Sequence, residues 1–279
     1  MSLRIVGLNA FLPGFRLVHE FAARNGHELV LVATLPETSR YGASDPMVAG
    51  LPDDLNVLIT RKLRTVAAPV IAALRPDVII SAAFPRLIPE EILEIPTYGA
   101  INCHPSPLPA GRGPTPQRLI YEGDERVGAT VHRTAAEFDT GAILAQRIAP
   151  LPEDLNGSGL MQCWRTLLSE CLDEAVPKLV AGDPGQPQDP AYASDAPLFT
   201  EDERLLDLTE PSRVIRRKAA ALNVTAPTAQ VELDGTTHLI TRSDPATHHS
   251  TAAPGTILEN HPNGWTVQTA DHPLRLTHS

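Results

Sequence analysis

At 279 residues, 42% of them hydrophobic and 20% charged, the chain is long enough for about two domains and too apolar for global disorder. Its net charge of −10, from 23 basic and 33 acidic residues, argues against broad nucleic-acid binding by charge but leaves room for a local basic groove. Three cysteines (Cys103, Cys163 and Cys171) make neither a disulfide framework nor a CxxC zinc pair, and no apolar run reaches the ~18 residues of a membrane helix. With no basic-then-apolar leader in view, the expectation is a soluble, cytoplasmic protein. The 27 prolines, at about twice the average usage, predict many fixed turns between short elements.

In chain order, Arg4–Leu8 reads as a strand, followed by an amphipathic helix that stops at Asn25-Gly26. Leu29–Thr34 and Leu55–Thr60 are further strands, Val66–Leu74 a short helix, and Val78–Ala82 and Ala100–Cys103 buried strands. This alternation predicts a largely parallel sheet in a doubly wound, Rossmann-like α/β domain. Ala129–Arg133 and Ile143–Ile148 add two strands. A long helix spans Ser158–Leu179, its apolar stripe running from Leu160 and Trp164 to Ala175 and Leu179, with Pro177 expected to kink or fray the last turn. Residues 183–197 have the composition of a linker. Beyond it come a helix over Ser212–Leu222 and five short strands near Val231, Leu239, Ile257, Val267 and Leu274, which suggest a small barrel. The expected domains are therefore 1–182, a linker 183–197, and 198–279.

The segment from Ile101 to Pro116 stands apart: a buried strand ends in Asn102 and His104 and passes into a proline- and glycine-rich loop. Ligands of open α/β sheets collect at the carboxyl ends of strands. Residues two apart share a strand face, so Asn102 and His104 point one way and Cys103 the other. An amide that can hold an oxyanion beside an imidazole that can take a proton is what acyl transfer to an amine requires. A Cys103–His104 thiol pair is disfavoured by the same alternation, and core packing is the better reading of that cysteine. Asp139, in a loop before Gly141, reads by itself as a turn residue. Were it to reach His104, it would orient the ring and raise its pKa.

Taken together, Asn102-x-His104-Pro105-Ser106, Leu108-Pro109-x-x-Arg112-Gly113 and Asp139-Thr140-Gly141 resemble the 10-formyltetrahydrofolate-dependent formyltransferase family. The resemblance implies a formyltransferase fold with a C-terminal OB-like β-barrel, the latter carried by Ala253–Leu258 and the helix Arg213–Asn223. It implies direct transfer from 10-formyltetrahydrofolate to a primary amine through a tetrahedral intermediate, with Asn102, His104 and Asp139 catalytic and no metal. It also implies that Phe84, Arg86, Leu87 and Ile88 hold the pterin ring of the donor, with Glu137 and Phe138 as the opposite wall. Ser106, Arg112 and Tyr41 are the candidate acceptor-binding residues.

The acceptor is read from departures. Leu8–Gly14 carries one glycine where a phosphate-cradling loop needs several, which disfavours a glycinamide ribonucleotide. Pro36–Asn56, where methionyl-tRNA formyltransferases insert a basic loop, has Arg40 as its only cation against Glu37, Asp45, Asp53 and Asp54. From Leu198 onward there are ten acidic and seven basic residues, with a local cluster of Arg213, Arg216, Arg217 and Lys218. These features favour a small-molecule amine, either an amino-sugar nucleotide or an amino-acid-like natural-product precursor, over methionyl-tRNA. A homodimer is left open. His248, His249, His261, His272 and His278 have no metal-ligand spacing and read as loop and edge-strand residues.

Overall fold

The first strand, Arg4–Asn9 (β1), is buried from its second residue onward, and the helix Leu12–Arg24 (α1) turns Phe15, Leu17, Val18 and Phe21 inward. Gly26, at φ +68°, ends that helix where a side chain would be strained. Glu28–Thr34 (β2) then returns parallel to β1. The computed structural model describes residues 1–36, 46–247 and 250–278. Tyr41 and Arg40, His248 and His249 lie outside the described residues.

After a single turn at Pro46–Ala49 (α2) comes Val57–Ile59 (β3), shorter than its apolar run. The helix expected from Val66 instead opens with a wide turn over Leu63–Ala67 before Ala68–Leu74 (α3). Pro69 has no N–H to give the carbonyl four residues back, so the regular ladder starts late. Val78–Ala82 (β4), Glu90–Leu93 (α4), Ala100–His104 (β5), Arg118–Glu122 (α5), Arg126–Arg133 (β6) and Ile143–Pro150 (β7) follow. The seven strands lie in the order β3-β2-β1-β4-β5-β6-β7. They are parallel through β5, and β6 runs antiparallel to β5. Strand order reverses at β1, which places a switch point at the carboxyl ends of β1 and β4.

Val6, Leu8, Leu31, Ile71, Ile79 and Ile92 form a core on the sheet. The long helix Gly157–Val180 (α6) buries Leu160, Cys171, Leu172 and Ala175 completely, and Trp164 Nε1 donates to the Gly128 carbonyl at 3.1 Å. Pro177 lies inside this helix without ending it, because the carbonyl it leaves unpaired belongs to solvent-facing Asp173.

Two compact units emerge, and each is discontinuous in sequence. One comprises residues 1–114, 128–148 and 164–195, the other 115–127, 149–163 and 196–279. The short segments join the second unit through specific bonds. Arg118 donates to Glu203 at 2.7 Å and to the Pro197 carbonyl at 3.0 Å, and lies over the Phe199 ring. Arg242 pairs with Asp154 at 2.6 Å. Residues 183–195, linker-like in composition, are bonded within the first unit: Gln186 pairs with Ile143 in both directions at 2.8 Å, and Ser194 Oγ accepts from the Gly111 N–H at 3.0 Å.

The second unit contains the one-turn helix Glu201–Arg204 (α7), closed by a Thr200–Glu203 capping box, and Ser212–Leu222 (α8). Its strands are Gln230–Leu233 (β8), Thr236–Pro245 (β9), Ile257–His261 (β10), Gly264–Val267 (β11) and Leu274–His278 (β12). They form a curled antiparallel sheet in the order β10-β11-β12-β9-β8. Asp234 and Gly235, at φ +49° and +75°, make the tight β8–β9 turn. Ile215, Leu222, Val231, Ile240, Val267 and Leu276 fill its core. The imidazoles of His238 and His278 pack on Trp265 at 4.6 and 5.0 Å, and His261 Nε2 bonds Thr266.

Two glycines separate steric from conformational need. A Cβ on Gly128 would stand 2.3 Å from Pro107 Cδ and 2.4 Å from its nitrogen, whereas Gly182, at φ +79°, faces open space. Gly182→Ala should cost about 1 kcal/mol of backbone strain and Gly128→Ala about 1–3 kcal/mol or more. Chemical denaturation of the two variants, which should rank in that order, checks it.

Candidate active site

The site grows from the end of β5. Antiparallel pairing sets Asn102 opposite His132, Cys103 opposite Val131 and His104 opposite Thr130, and opposed residues share a face. Asn102, His104 and His132 therefore project together, while Cys103 turns away. Its buried thiol is pushed well above the usual range by burial and by neighbouring Cys171, which leaves it no thiolate to offer.

Beyond β5 the loop folds on itself before reaching the site. Ser106 is buried, its hydroxyl donating to the Ala110 carbonyl at 2.7 Å, so it presents no free hydroxyl to an acceptor. Thr130 Oγ1 donates to the Ser106 carbonyl and accepts from the Leu108 N–H. These bonds aim the Gly111 carbonyl at His104 Nε2, 2.8 Å away. A carbonyl can only accept, so Nε2 carries a proton. Nδ1 of the same ring faces Asp139 Oδ1 at 3.4 Å.

Asp139 arrives from the loop after β6, in the left-handed conformation at φ +56°. Two residues on, a Cβ at Gly141 would sit 1.7 Å from the Arg133 carbonyl oxygen, so only glycine lets this loop lie against β6. The Asp139 carboxylate is 7% exposed. Its Oδ2 accepts from the Gly113 N–H at 2.9 Å and its Oδ1 from Asn102 Nδ2 at 3.2 Å. Burial pushes its pKa up, but His104, His132 and the Gly113 N–H outweigh that and hold it down at about 2. Burial pulls the His104 pKa down, opposed by the Asp139 carboxylate and then the Gly111 carbonyl, and the net direction is downward. The imidazole is thus uncharged at neutral pH yet has an oxygen acceptor beside each ring nitrogen. A proton that arrives on it is satisfied on both sides.

His132 is the member that sequence reading passed over. Its Nδ1 lies 2.8 Å from the Arg133 carbonyl and so carries the proton, which leaves Nε2 to accept from Asn102 Nδ2 at 3.2 Å. The amide hydrogens of Asn102 are directed to His132 and Asp139. The signal was the β5–β6 register, which pairs residue 102 with 132 and which no local pattern reveals.

The other expected residues fall on neighbouring loops. After β4, Phe84 and Ile88 turn into the core, while Arg86 and Leu87 face outward. Asn9 Nδ2 and Gly14 hold this loop's first carbonyl, that of Ala82: the amide donates at 3.0 Å, and a Cβ on Gly14 would stand 2.6 Å away. Glu137 and Phe138 are exposed beside Asp139. Leu87 at 49% and Phe138 at 48% are among the exposed large apolar side chains of the first unit, and their chemistry fits a flat heteroaromatic ring. Arg112 is engaged at two nitrogens, its Nε and Nη2 donating to Gln188 at 3.2 and 2.7 Å.

A family model described as "Formyl transferase" matches residues 59–176, and one described as "Formyl transferase, C-terminal domain" matches residues 199–279. The methionyl-tRNA formyltransferase of Roseiflexus castenholzii is 33% identical over 288 residues, covering 99% of this chain and 90% of that protein. The chain belongs to the formyl transferase family. It is a formyl-transferring enzyme. The Pseudomonas syringae pv. syringae methionyl-tRNA formyltransferase is likewise 33% identical over 284 residues, covering 99% of this chain and 89% of that one. Two solved structures share the formyltransferase's fold. HypX from Aquifex aeolicus, in complex with tetrahydrofolic acid, superposes with a TM-score of 0.76 at 20% identity; the match covers 99% of this chain but 44% of HypX. WlaRD, a sugar 3N-formyl transferase, gives 0.66 at 14% identity, covering 100% of this chain and 98% of that one. Among the described residues, no helix of the formyltransferase is long and apolar enough to cross a membrane.

Two outcomes follow from the site geometry. Cys103→Ser should keep most formyl-transfer activity, measured as tetrahydrofolate release. A carboxylate held at about 2 in the fold and near 3.8 when unfolded contributes stability that is full above pH 3.8 and lost as pH falls toward 2. Denaturation of wild type and Asp139→Asn across that window should show the wild-type margin shrinking on acidification.

Proposed function

We propose that this formyltransferase N-formylates the amino group of methionyl-tRNA, with Asn102, His104 and Asp139 as its catalytic residues. The observation that carries the acceptor is a third identity to methionyl-tRNA formyltransferases over nearly the whole of both chains, second domain included. That outweighs the charge of residues 36–56, which set tRNA aside on sequence alone: a deficit of cations in one loop bears on one patch, whereas the similarity spans both domains.

The donor, 10-formyltetrahydrofolate, supplies the formyl group to be transferred; Leu87 and Phe138 would pack on its ring, with Arg86 and Glu137 alongside. His104 enters uncharged, takes at Nδ1 the proton the attacking amine must lose, and returns it to the leaving N10 as the formyl C–N bond breaks and tetrahydrofolate departs. The Asp139 carboxylate and the Gly111 carbonyl stabilise the imidazolium so formed. Asn102 supplies an N–H to the formyl oxygen as negative charge develops there, exchanging its His132 partner for that oxygen. Asp139 keeps its charge throughout, since two N–H donors already hold it.

A specific observation favours a second acceptor, the amine of a small molecule such as an amino-sugar nucleotide. Much of the cation cluster on α8 is turned away from solvent: Lys218 pairs with Glu210 at 2.6 Å, Arg216 donates to the Ser243 carbonyl and Arg217 is buried, which leaves the exposed Arg213, paired with Glu125 at 2.9 Å, as its outward cation. Few phosphate contacts remain for it to make.

Tetrahydrofolate release from 10-formyltetrahydrofolate, with charged methionyl-tRNA in one reaction and a panel of amino-sugar nucleotides and diamino acids in another, separates the two. Turnover with methionyl-tRNA is expected; turnover only with a small amine overturns the acceptor. His104→Ala and Asp139→Asn should each lose about 10²-fold or more in rate while retaining a cooperative melt. With His104 as base, the rate falls on the acid side as the ring becomes protonated, and that limb should lie below the ordinary imidazole value of 6.5.

A further inference from the structure

Gln188 sits in the stretch whose composition reads as a linker. Its Nε2 donates to the carbonyls of Asp139 and Gly141, each at 2.8 Å, and its Oε1 accepts from Arg112 Nε at 3.2 Å and Nη2 at 2.7 Å. Both amide hydrogens and both oxygen lone pairs are used. A carboxylate at this position would have no hydrogen for the two carbonyls, and an apolar side chain would bond neither loop.

Each end of this amide fixes one side of the His104–Asp139 pair. The carbonyls of residues 139 and 141 bracket the turn in which Asp139 takes φ +56°, a conformation that persists only where the surroundings over-determine it. Arg112 belongs to the loop that offers the Gly111 carbonyl to His104 and the Gly113 N–H to Asp139 Oδ2. Ser194 secures the same loop, accepting from the Gly111 N–H through its hydroxyl and from the Arg112 N–H through its carbonyl.

We propose that Gln188 is a positioning residue for formyl transfer, its carboxamide setting the separation of Asp139 from His104 by tying the Asp139 turn to the Arg112 loop. The inference rests on the reading of His104 and Asp139 as the reacting pair. The groups facing His104 are Asp139, His132 and the Gly111 carbonyl, and of the three only Asp139 is an anion that would move if the tie were cut.

The test is a nuclear magnetic resonance titration of the His104 imidazole, assigned with His104→Gln, in wild type, Gln188→Met, Gln188→Leu and Asp139→Asn, beside steady-state kinetics. In Gln188→Met the midpoint should fall below that of wild type, because the carboxylate that favours the charged ring has moved off. kcat should drop about tenfold or more, with KM for 10-formyltetrahydrofolate within about twofold, as a displacement of reacting groups by a fraction of an ångström predicts. Gln188→Leu serves the same purpose should the methionine variant fold poorly. A wild-type midpoint and kcat in a folded Gln188 variant overturn the proposal, as does a lower melting temperature with an unmoved midpoint, which marks a merely structural bond. Asp139→Asn tells the two readings apart: if it leaves the His104 midpoint in place, the paired site itself fails; if it shifts the midpoint and the Gln188 variants do not, only the positioning role falls.

Discussion

A buried, ionised carboxylate is the constraint around which the first unit is arranged. Taking Asp139 out of water costs several kcal/mol, and hydrogen bonds from neutral N–H groups to a charge return about 1.5–3 kcal/mol each. The Gly113 N–H meets part of that cost together with the neighbouring His104 and His132 imidazoles, the Asn102 amide adds a second hydrogen bond, and neither N–H donor lies near residue 139 in sequence. The loop after β5 must therefore curl to bring Gly113 in, β6 must run antiparallel to set His132 under Asn102, and Gly141 must carry no side chain so that the aspartate can reach its donors.

The chemistry follows from that arrangement. The ring of His104 is kept uncharged by burial, yet each of its nitrogens looks at an oxygen. Such a ring holds no charge at rest, and the oxygen beside each nitrogen offsets part of what burial makes it cost to acquire one during reaction, as a proton acceptor in amine acylation needs. Asn102 stands beside it with donors already aligned by an anion and by a histidine of fixed tautomer. Cys103, its sequence neighbour, shares none of this because a strand sends adjacent side chains to opposite faces.

Membership of a family settles the reaction class but leaves the acceptor to surface chemistry. The groups proposed for formyl transfer, Asn102, His104 and Asp139, lie within one cluster at the end of β5. Recognition of a tRNA depends on cations free to meet phosphates, and of the α8 arginines Arg217 is buried, Arg216 bonds the Ser243 carbonyl and Arg213 is exposed beside Glu125. Full-length similarity and local charge thus pull on different parts of the molecule, the first on the whole chain and the second on single patches.

Much of the architecture was legible from local pattern alone. Buried apolar runs placed β1, β2, β4 and β5, a three- and four-residue stripe placed α6, and strand alternation put Asn102 and His104 on one face, because periodicity is a property of neighbours in the chain; Asp139 was joined to them only by resemblance to a family. Tertiary structure decided the rest. Residues 183–197 read as a linker since proline and glycine signal only the absence of helix or strand; that Gln188 clasps two loops is a fact of distance between segments about fifty and seventy-five positions apart. Ser106 looked available until its hydroxyl was found closed on Ala110. His132 was invisible because its role comes from the register of two strands joined by a long excursion, and register is fixed by which faces the fold buries, not by any residue's own preference.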